Sequence, residues 1–332
     1  MDKQKDFFKP EEIRALANSF QQSRILLSAF ELDLFTVIDK HMLTSSEVAK
    51  QINTNERATD RLMNALVALG FLRKVKNKFY NEEHSSQYLV KGKPEFMGGL
   101  FHSIGLWDTW SDLTEAVQAG KSVNKHLHSN SRIDWLESFI GAMHYRGIKE
   151  AKLTSMMLDL TNVKRMLDVG GGSGIFSIEF IKKNPDVKSI VFDLPEVIPI
   201  TQRYVEAENM SPNISFIGGN YLEDSFSADY DLIFLSAIVH INSYNENKKL
   251  IKKCHDALNP NGQIIIKDWI MSEERVEPAG GAYFALNMLV GTDSGDTYTE
   301  SEMKEWFYDA GISKIEKKVT GFGSALLIGY KN

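Results

Sequence analysis

Cysteine is almost missing. The chain of 332 residues holds one, Cys254, so it can form no internal disulfide and no zinc site built on several thiolates. Such a residue is expected to pack on a helix, in a reducing compartment. Long apolar runs are missing too: no stretch of about 18 apolar residues offers a membrane-spanning helix. The opening MDKQKDFFKPEE carries no signal-peptide core, and a cytoplasmic location is expected. Nor is there a surplus of positive charge. The 38 Lys and Arg face 44 Asp and Glu, a net of −6, which argues against a chain whose main task is to hold a polyanion. Apolar residues, by contrast, make up 43%, enough for two domains to bury cores without covalent staples.

Residues 1–95 read as short helices followed by a β-ribbon. Pro10 with Glu11 and Glu12 suits a helix start. Ile13, Leu16, Phe20, Leu26, Leu27 and Phe30 give that helix an apolar stripe too generous for one small core. Thr44-Ser45-Ser46-Glu47 carries the capping-box pattern of a second helix. A third, from about Glu56 to Leu69, has Leu62, Leu66 and Leu69 at helical spacing and stops at Gly70. Strands at 71–75 and 78–80, joined by a turn at Lys76-Asn77, complete a winged-helix order. That order raises nucleic-acid binding as a rival. Yet residues 1–95 hold 15 Lys and Arg against 13 Asp and Glu, and the basic run at 73–78 lies on the wing alone. No nucleic-acid partner is expected.

Residues 96–160 read as helical throughout, with Trp107, Trp110, Trp135, Phe139 and Met143 at apolar positions, and form a bridge. After 160 strand and helix alternate, which predicts a mostly parallel sheet covered on both faces. The candidate strands are 165–169, 188–193, 214–217, 231–235, 263–268, 314–319 and 324–330. Only four residues separate the last two, so they must pair antiparallel at the sheet edge.

The sharpest motif is Asp168-Val169-Gly170-Gly171-Gly172-Ser173-Gly174, between an apolar strand and a helix. Glycines let the backbone turn tightly and approach a ligand that a Cβ would repel. The nicotinamide fingerprint G-x-G-x-x-G/A does not fit, because Ile175 or Ser177 takes its last position. No lysine follows Gly174, so the phosphate loop is absent as well. The second strand ends on Asp193, followed by Leu194, where a carboxylate can accept both hydroxyls of a ribose. It could also cap the helix after Pro195. Gly218-Gly219-Asn220-Tyr221 follows the third strand, where a polar and an aromatic side chain can hold an adenine. A ligand needing close backbone approach and a ribose partner, but no pyrophosphate cradle, fits S-adenosyl-L-methionine.

His240 follows the fourth strand and Asp268 ends the fifth. These strands are neighbours in such a sheet, and a carboxylate on one imidazole nitrogen leaves the other free to take a proton. Trp107, Trp110, Phe139, Met143, Phe284 and Met288 are candidates to line an apolar pocket for a small, flat aromatic molecule, with His144 as a second polar contact. No carboxylate cluster at ligand spacing suggests a metal.

With these residues in place, residues 12–332 resemble the O-methyltransferase family of plant caffeic acid, hydroxyindole and bacterial polyketide enzymes. The resemblance is carried by the run 167–174, by Phe192-Asp193-Leu194-Pro195, and by Val239-His240 with Cys254 fourteen residues on. It implies an α/β fold, a Rossmann-like doubly wound seven-stranded sheet, with an N-terminal all-α, winged-helix dimerisation domain. Its domains would be 1–95 for dimerisation, 96–160 as a bridge contributing to the substrate pocket, and 161–332 for the cofactor. A homodimer is implied, in which each N-terminal half walls the partner's pocket. The cofactor contacts fall on Asp168, Gly170, Gly172, Asp193, Leu194 and Asn220-Tyr221, where Asn220 replaces the usual acid. Ser236 stands where plant members have a lysine. The general base falls on His240, with Ile241 in place of the aspartate that follows it in plants. Of the two flanking acids one falls on Asp268, and the other on Thr297 with Asp296 beside it.

Overall fold

Backbone contacts divide the chain, of which the computed structural model describes residues 8–123 and 132–332, between Ile104 and Gly105. In the first unit the apolar stripe belongs to two helices, α1 (Pro10–Asn18) and α2 (Phe20–Glu31), rather than one. The chain breaks at Ser19, whose hydroxyl donates to the Leu16 carbonyl at 2.8 Å, a local bond that competes with the helix ladder. Leu27 and Phe30 are buried, whereas Ile13, Leu16 and Phe20 stay 55, 65 and 53% exposed.

A short helix that the sequence reading lacks, α3 (Leu34–Ile38), follows a left-handed Asp33. Then come β1 (Leu43–Thr44), α4 (Ser45–Gln51), α5 (Glu56–Ala68), β2 (Leu72–Val75), β3 (Lys78–Asn81) and α6 (Glu83–Tyr88). The capping box forms as expected: Glu47 N donates to Thr44 Oγ1 at 3.2 Å, and Thr44 N to the Glu47 carboxylate at 2.7 Å. β1 pairs with β3, which makes the hairpin an antiparallel sheet of order β1-β3-β2. Phe30, Phe35, Ile38, Met63, Leu66 and Phe79 form the core beneath it.

Helices α7 (Leu100–Ser111), α8 (Leu113–Ala119) and α9 (Arg132–Met157) account for the described part of 100–157. The side chain of Trp135 lies outside the described residues. The remainder alternates as expected: β4 (Arg165–Val169), α10 (Ile175–Lys183), β5 (Lys188–Asp193), α11 (Ile198–Ala207), β6 (Ile214–Gly218), β7 (Tyr230–Ser236), α12 (Tyr244–Ala257) and β8 (Leu258–Asp268). It ends with β9 (Ile270–Met271), α13 (Ala279–Gly291), β10 (Tyr298–Thr299), α14 (Glu300–Asp309), β11 (Lys314–Val319) and β12 (Ala325–Tyr330). β8 begins earlier than expected. Tyr230 pairs with Leu258 and Leu232 with Gln263, so the residues between bulge out through a left-handed Asn261.

Seven strands lie in the order β11-β12-β8-β7-β4-β5-β6, all running one way except β12, which is antiparallel to both β8 and β11. Side chains alternate between faces. Leu232 and Phe234 of β7 pack with Ile178 and Phe180 of α10, while Ile233 and Leu235 pack with Leu250 and Ile251 of α12 and Trp306 of α14. Each such side chain contributes roughly 1.5–3 kcal/mol, and two-sided burial explains the unbroken apolar runs. From β4 the chain winds out one way through β5 and β6. It then returns to β7 and winds the other way. The crevice at the carboxyl ends of β4 and β7 is where such sheets take ligands.

Candidate active site

Asp168 faces α10 on the even side of β4, where Ser177 Oγ donates to its carboxylate at 2.6 Å. Burial pushes Asp168 up to about 6. The chain then turns through Gly170, Gly172 and Gly174, all with positive φ, at 64, 56 and 73°. A Cβ on Gly170 would lie 2.1 Å from Ile238 Cδ1, and one on Gly171 2.9 Å from the Asp168 carboxylate. Gly172 is different. A Cβ there would make only an ordinary contact, with Ile140 Cδ1 at 3.6 Å, so its backbone is not closed off as that of Gly170 is.

The tip of β5 closes onto this loop. Gly172 N donates to one oxygen of Asp193 at 2.8 Å, and Leu194 N to the other at 2.7 Å. Asp193 therefore braces the loop; α11, with Val197 at its N-cap, takes no side-chain cap. Each carboxylate oxygen keeps a lone pair. Burial raises Asp193 above its ordinary value even against two amide donors. An acceptor this desolvated suits two hydroxyl donors side by side, as on a ribose. Leu194, 41% exposed, offers an apolar surface next to it. These groups fit an adenosyl ligand.

Beyond β6, Gly219 N donates to the Asp193 carbonyl at 2.9 Å. The Asn220 side-chain carbonyl accepts from Leu222 N at 3.0 Å, which leaves its Nδ2 donors, where an acid would offer acceptors. Tyr221 is anchored: its hydroxyl donates to Asn242 Oδ1 at 3.0 Å, and burial pushes the phenol up to about 12. Lys253 of α12 donates to the carbonyls of Tyr221 and Asp224 and so holds the loop from behind.

At the end of β7, Ser236 pairs with Lys267. Ala237 follows in the left-handed region, φ 57°, at a cost of roughly 1–2 kcal/mol. That turn drops Ile238 onto Gly170 and swings His240 toward β8. His240 Nδ1 lies 2.8 and 2.9 Å from the two oxygens of Asp268, so Nδ1 carries the proton and donates. Asp268 also accepts from Trp269 N at 2.8 Å. Nε2 of His240 has no hydrogen-bond partner among the described residues. Alternation along β8 sends Asp268 to this face and Lys267 to the other, where it pairs with Glu150 of α9 at 2.8 Å.

The sequence leaves open whether Asp296 takes the place of the acid missing at Thr297. Asp296 turns its carboxylate to Arg275 at 3.5 Å, and Thr297 Oγ1 lies 3.4 Å from the Gly281 carbonyl. This loop instead gives His240 a backbone bond, Asp296 N to the His240 carbonyl at 3.0 Å.

The residues expected to line one apolar pocket fall into two groups. Phe284 meets the His240 ring edge-on, with centroids 4.8 Å apart, and Trp269 lies behind it at 6.2 Å. Met288 is one turn along α13, and Trp110 of α7, a turn beyond Trp107, donates to Asn287 Oδ1 at 2.9 Å. Phe139 and His144 lie elsewhere, because α9 leans on α10 and α11. Phe139 packs with Val197 and Ile200. His144 Nδ1 is 3.0 Å from Ser173 Oγ in the glycine loop, and its ring stacks on Tyr204. Met143, on the same helix, is half-buried.

Sequence reasoning missed Ala237, Asn242, Asn247, Trp269 and Asn287. One signal was available. Gly280-Gly281 inside a helix costs about 1 kcal/mol per residue, which demands a reason. A Cβ there would lie 2.9 Å from Trp269 and 2.4 Å from Met271, so the pair lets α13 close over the base.

Residues 110–313 match the O-methyltransferase domain family, and residues 15–92 the O-methyltransferase dimerisation domain. Among curated relatives, 3-hydroxy-5-methyl-1-naphthoate 3-O-methyltransferase of Streptomyces sahachiroi is 28% identical over 312 residues, 92% of this chain and 90% of that protein. The tetracenomycin polyketide synthesis 8-O-methyl transferase of Streptomyces glaucescens is also 28% identical, over 97% of both. Human N-acetylserotonin methyltransferase, solved with S-adenosylmethionine, shares the fold with a TM-score of 0.84 at 23% identity, over 100% of both chains. This chain belongs to that family of S-adenosylmethionine-dependent O-methyltransferases.

Proposed function

We propose that the enzyme methylates a hydroxyl group on a small aromatic molecule, with His240 as general base and Asp268 orienting it. The observation that carries this reading is the imidazole itself. Its Nδ1 proton is committed to a buried carboxylate, and its Nε2 lone pair is uncommitted at the carboxyl end of β7. The bound cofactor supplies a methyl group on a positively charged sulfur, an electrophile that needs no further activation.

The protein's part is then to hold the acceptor oxygen and take its proton. A phenol has a pKa of about 10 and an imidazole about 6.5. Proton transfer ahead of attack is uphill, so the base helps most as the oxygen attacks. Asp268 keeps Nε2 as the acceptor and stabilises the imidazolium that forms. Gly170, Gly172, Asp193, Leu194 and Asn220-Tyr221 hold the cofactor, with Asp168 tied to Ser177 of α10 beneath the loop and Ser236 at the neighbouring strand tip.

The two curated relatives are named for naphthoate and polyketide acceptors. With Phe284 against the base and Met288 one turn along α13, that supports a flat aromatic acceptor. Ile13, Leu16 and Phe20 stand exposed on a unit matching a dimerisation domain, which supports a homodimer built on the winged-helix half.

The test is His240→Ala on a panel of phenols and naphthols with labelled cofactor. Turnover should fall by about 10² to 10⁴-fold, with cofactor affinity unchanged. The loss should shrink for acidic phenols, which ionise unaided. An equal loss at every acidity, or full activity, would sink the assignment.

A further inference from the structure

A chain of buried amides joins the loop that carries Tyr221 to the turn that carries His240. Tyr221 donates its hydroxyl to Asn242 Oδ1 at 3.0 Å. Asn242 Nδ2 donates to Asn247 Oδ1 at 3.0 Å, and Asn247 Nδ2 to the carbonyl of Val239, next to His240, at 2.7 Å. Tyr298 adds a bond from outside, its hydroxyl donating to the Asn242 carbonyl at 2.6 Å. Asn242 and Asn247 are 3 and 0% exposed.

Nothing in the packing of α12 calls for an amide here. Its other buried positions are Leu250, Ile251, Cys254 and Ala257, so Asn247 interrupts an apolar stripe. Capping does not need it either, since Ser243 and Glu246 already form a complete capping box. A buried amide left unpaired costs about 1–3 kcal/mol, which a leucine would avoid. The bonds of both asparagines go instead to segments of the active site. The carbonyls of Ile238, Val239, His240 and Asn242 all accept, from Ile241 N, Asn247 Nδ2, Asp296 N and Tyr298 respectively. Of those four, only the bond from Asn247 continues back to the loop beyond β6.

We infer that Asn242 and Asn247 are positioning residues that hold the His240 turn in register with the adenine side of the cofactor site, so that ligand binding at Tyr221 is felt at the base. This rests on the reading above, with Tyr221 in the cofactor site and His240 as base. Donors run in one direction along the chain, so each bond polarises the next. Slipping the turn by one bond would strand a buried donor and acceptor. The turn therefore sits in a discrete position and resists sliding. A second link, Ile238 packed on Gly170, bypasses the asparagines and is the rival route for any coupling.

Hydrogen–deuterium exchange on the full chain separates the two routes, with S-adenosylhomocysteine as probe. In the wild type the ligand should slow exchange at 168–175 and at 237–243. In Asn247→Ala and in Tyr221→Phe the first protection should persist while the second falls about fivefold or more. Asn247→Ala should also lower kcat by about tenfold or more with cofactor affinity unchanged, a split that general loosening would not give. Tyr221→Phe, at the less buried end, keeps the test open should Asn247→Ala fail to fold. Full protection at 237–243 in both variants would overturn the inference and leave the Ile238 contact as the route. No protection at 168–175 in the wild type would remove the cofactor reading itself, and this inference with it.

Discussion

The two sides of the crevice are built from different materials. The side proposed for the cofactor is made of backbone and short polar groups at three adjacent strand tips: Gly172 N and Leu194 N on Asp193, and Gly219 N on the Asp193 carbonyl. The side proposed for the acceptor is made of side chains from α7, α13 and the turn after β7, with Trp110 and Asn287 bonded across 177 positions of sequence. A site built from backbone has little freedom, since changing one residue moves the chain. A wall built from side chains can be exchanged piece by piece. The difference suggests why one cofactor site can serve many acceptors.

The largest effect expected from this contrast is at Asp193. Asp193→Ala removes the acceptor for a diol and releases Gly172 N together. Charge-assisted hydrogen bonds are worth about 1.5–3 kcal/mol each, so S-adenosylhomocysteine should bind about 10²-fold more weakly or worse by calorimetry. Gly172→Val should do the same through backbone strain. Wild-type affinity in either variant would mean that the cradle does not hold the adenosyl group.

The same contrast decides what could be read from sequence. All seven strands, the terminal hairpin and the pairing of His240 with Asp268 were legible, because period, turn length and strand-tip position act locally. The place of Asp193 at the tip of β5 was legible for the same reason. Across the crevice the signals fail. Whether Asp296 replaces the acid missing at Thr297 could not be read from its position in the sequence, and Arg275 draws that carboxylate away. His144 and Phe139 were assigned to the acceptor because they are apolar or polar in the right helix. Which face of α9 meets α10 and α11 is a tertiary fact, and it sends His144 to Ser173 of the glycine loop and Phe139 to Val197 and Ile200. Asn242 and Asn247 look like any loop and helix-start asparagines until their burial is known.

A smaller effect tests whether the cofactor side is tuned for charge. Asp168 is buried under the glycine loop and raised to about 6 from an ordinary 3.8. The folded value lies above the unfolded one, so the protonated form stabilises the fold at low pH. That contribution is lost as pH rises from about 4 through 6. Above 6 the ionised carboxylate costs about 3 kcal/mol. Asp168→Asn should therefore melt higher than wild type at pH 8, with the gain vanishing near pH 4. It should also bind the cationic cofactor less well relative to its neutral-sulfur product. Equal melting differences at both pH values would remove the argument that Asp168 is held ionised at a cost to stability.

The smallest effect sharpens the comparison from the acceptor side. Trp110 Nε1 has Asn287 Oδ1 as its partner, and Asn287 sits one residue before Met288 and three after Phe284, on the helix that covers the base. Replacing Asn287 with alanine leaves the indole N–H without that acceptor and loosens α7 from α13. A lost hydrogen bond of this kind costs about 0.5–1.5 kcal/mol, so KM for a naphthol acceptor should rise roughly 2- to 10-fold. Binding of S-adenosylhomocysteine should not change, because among the described residues the Asn287 side chain bonds to Trp110 and to no group of the glycine loop or the β5 tip. Asn287→Asp, which keeps the acceptor oxygen, should restore most of the loss. If cofactor affinity fell in step with acceptor affinity, the two sides would form one cooperative wall, and the division drawn between backbone-built and side-chain-built halves would fail.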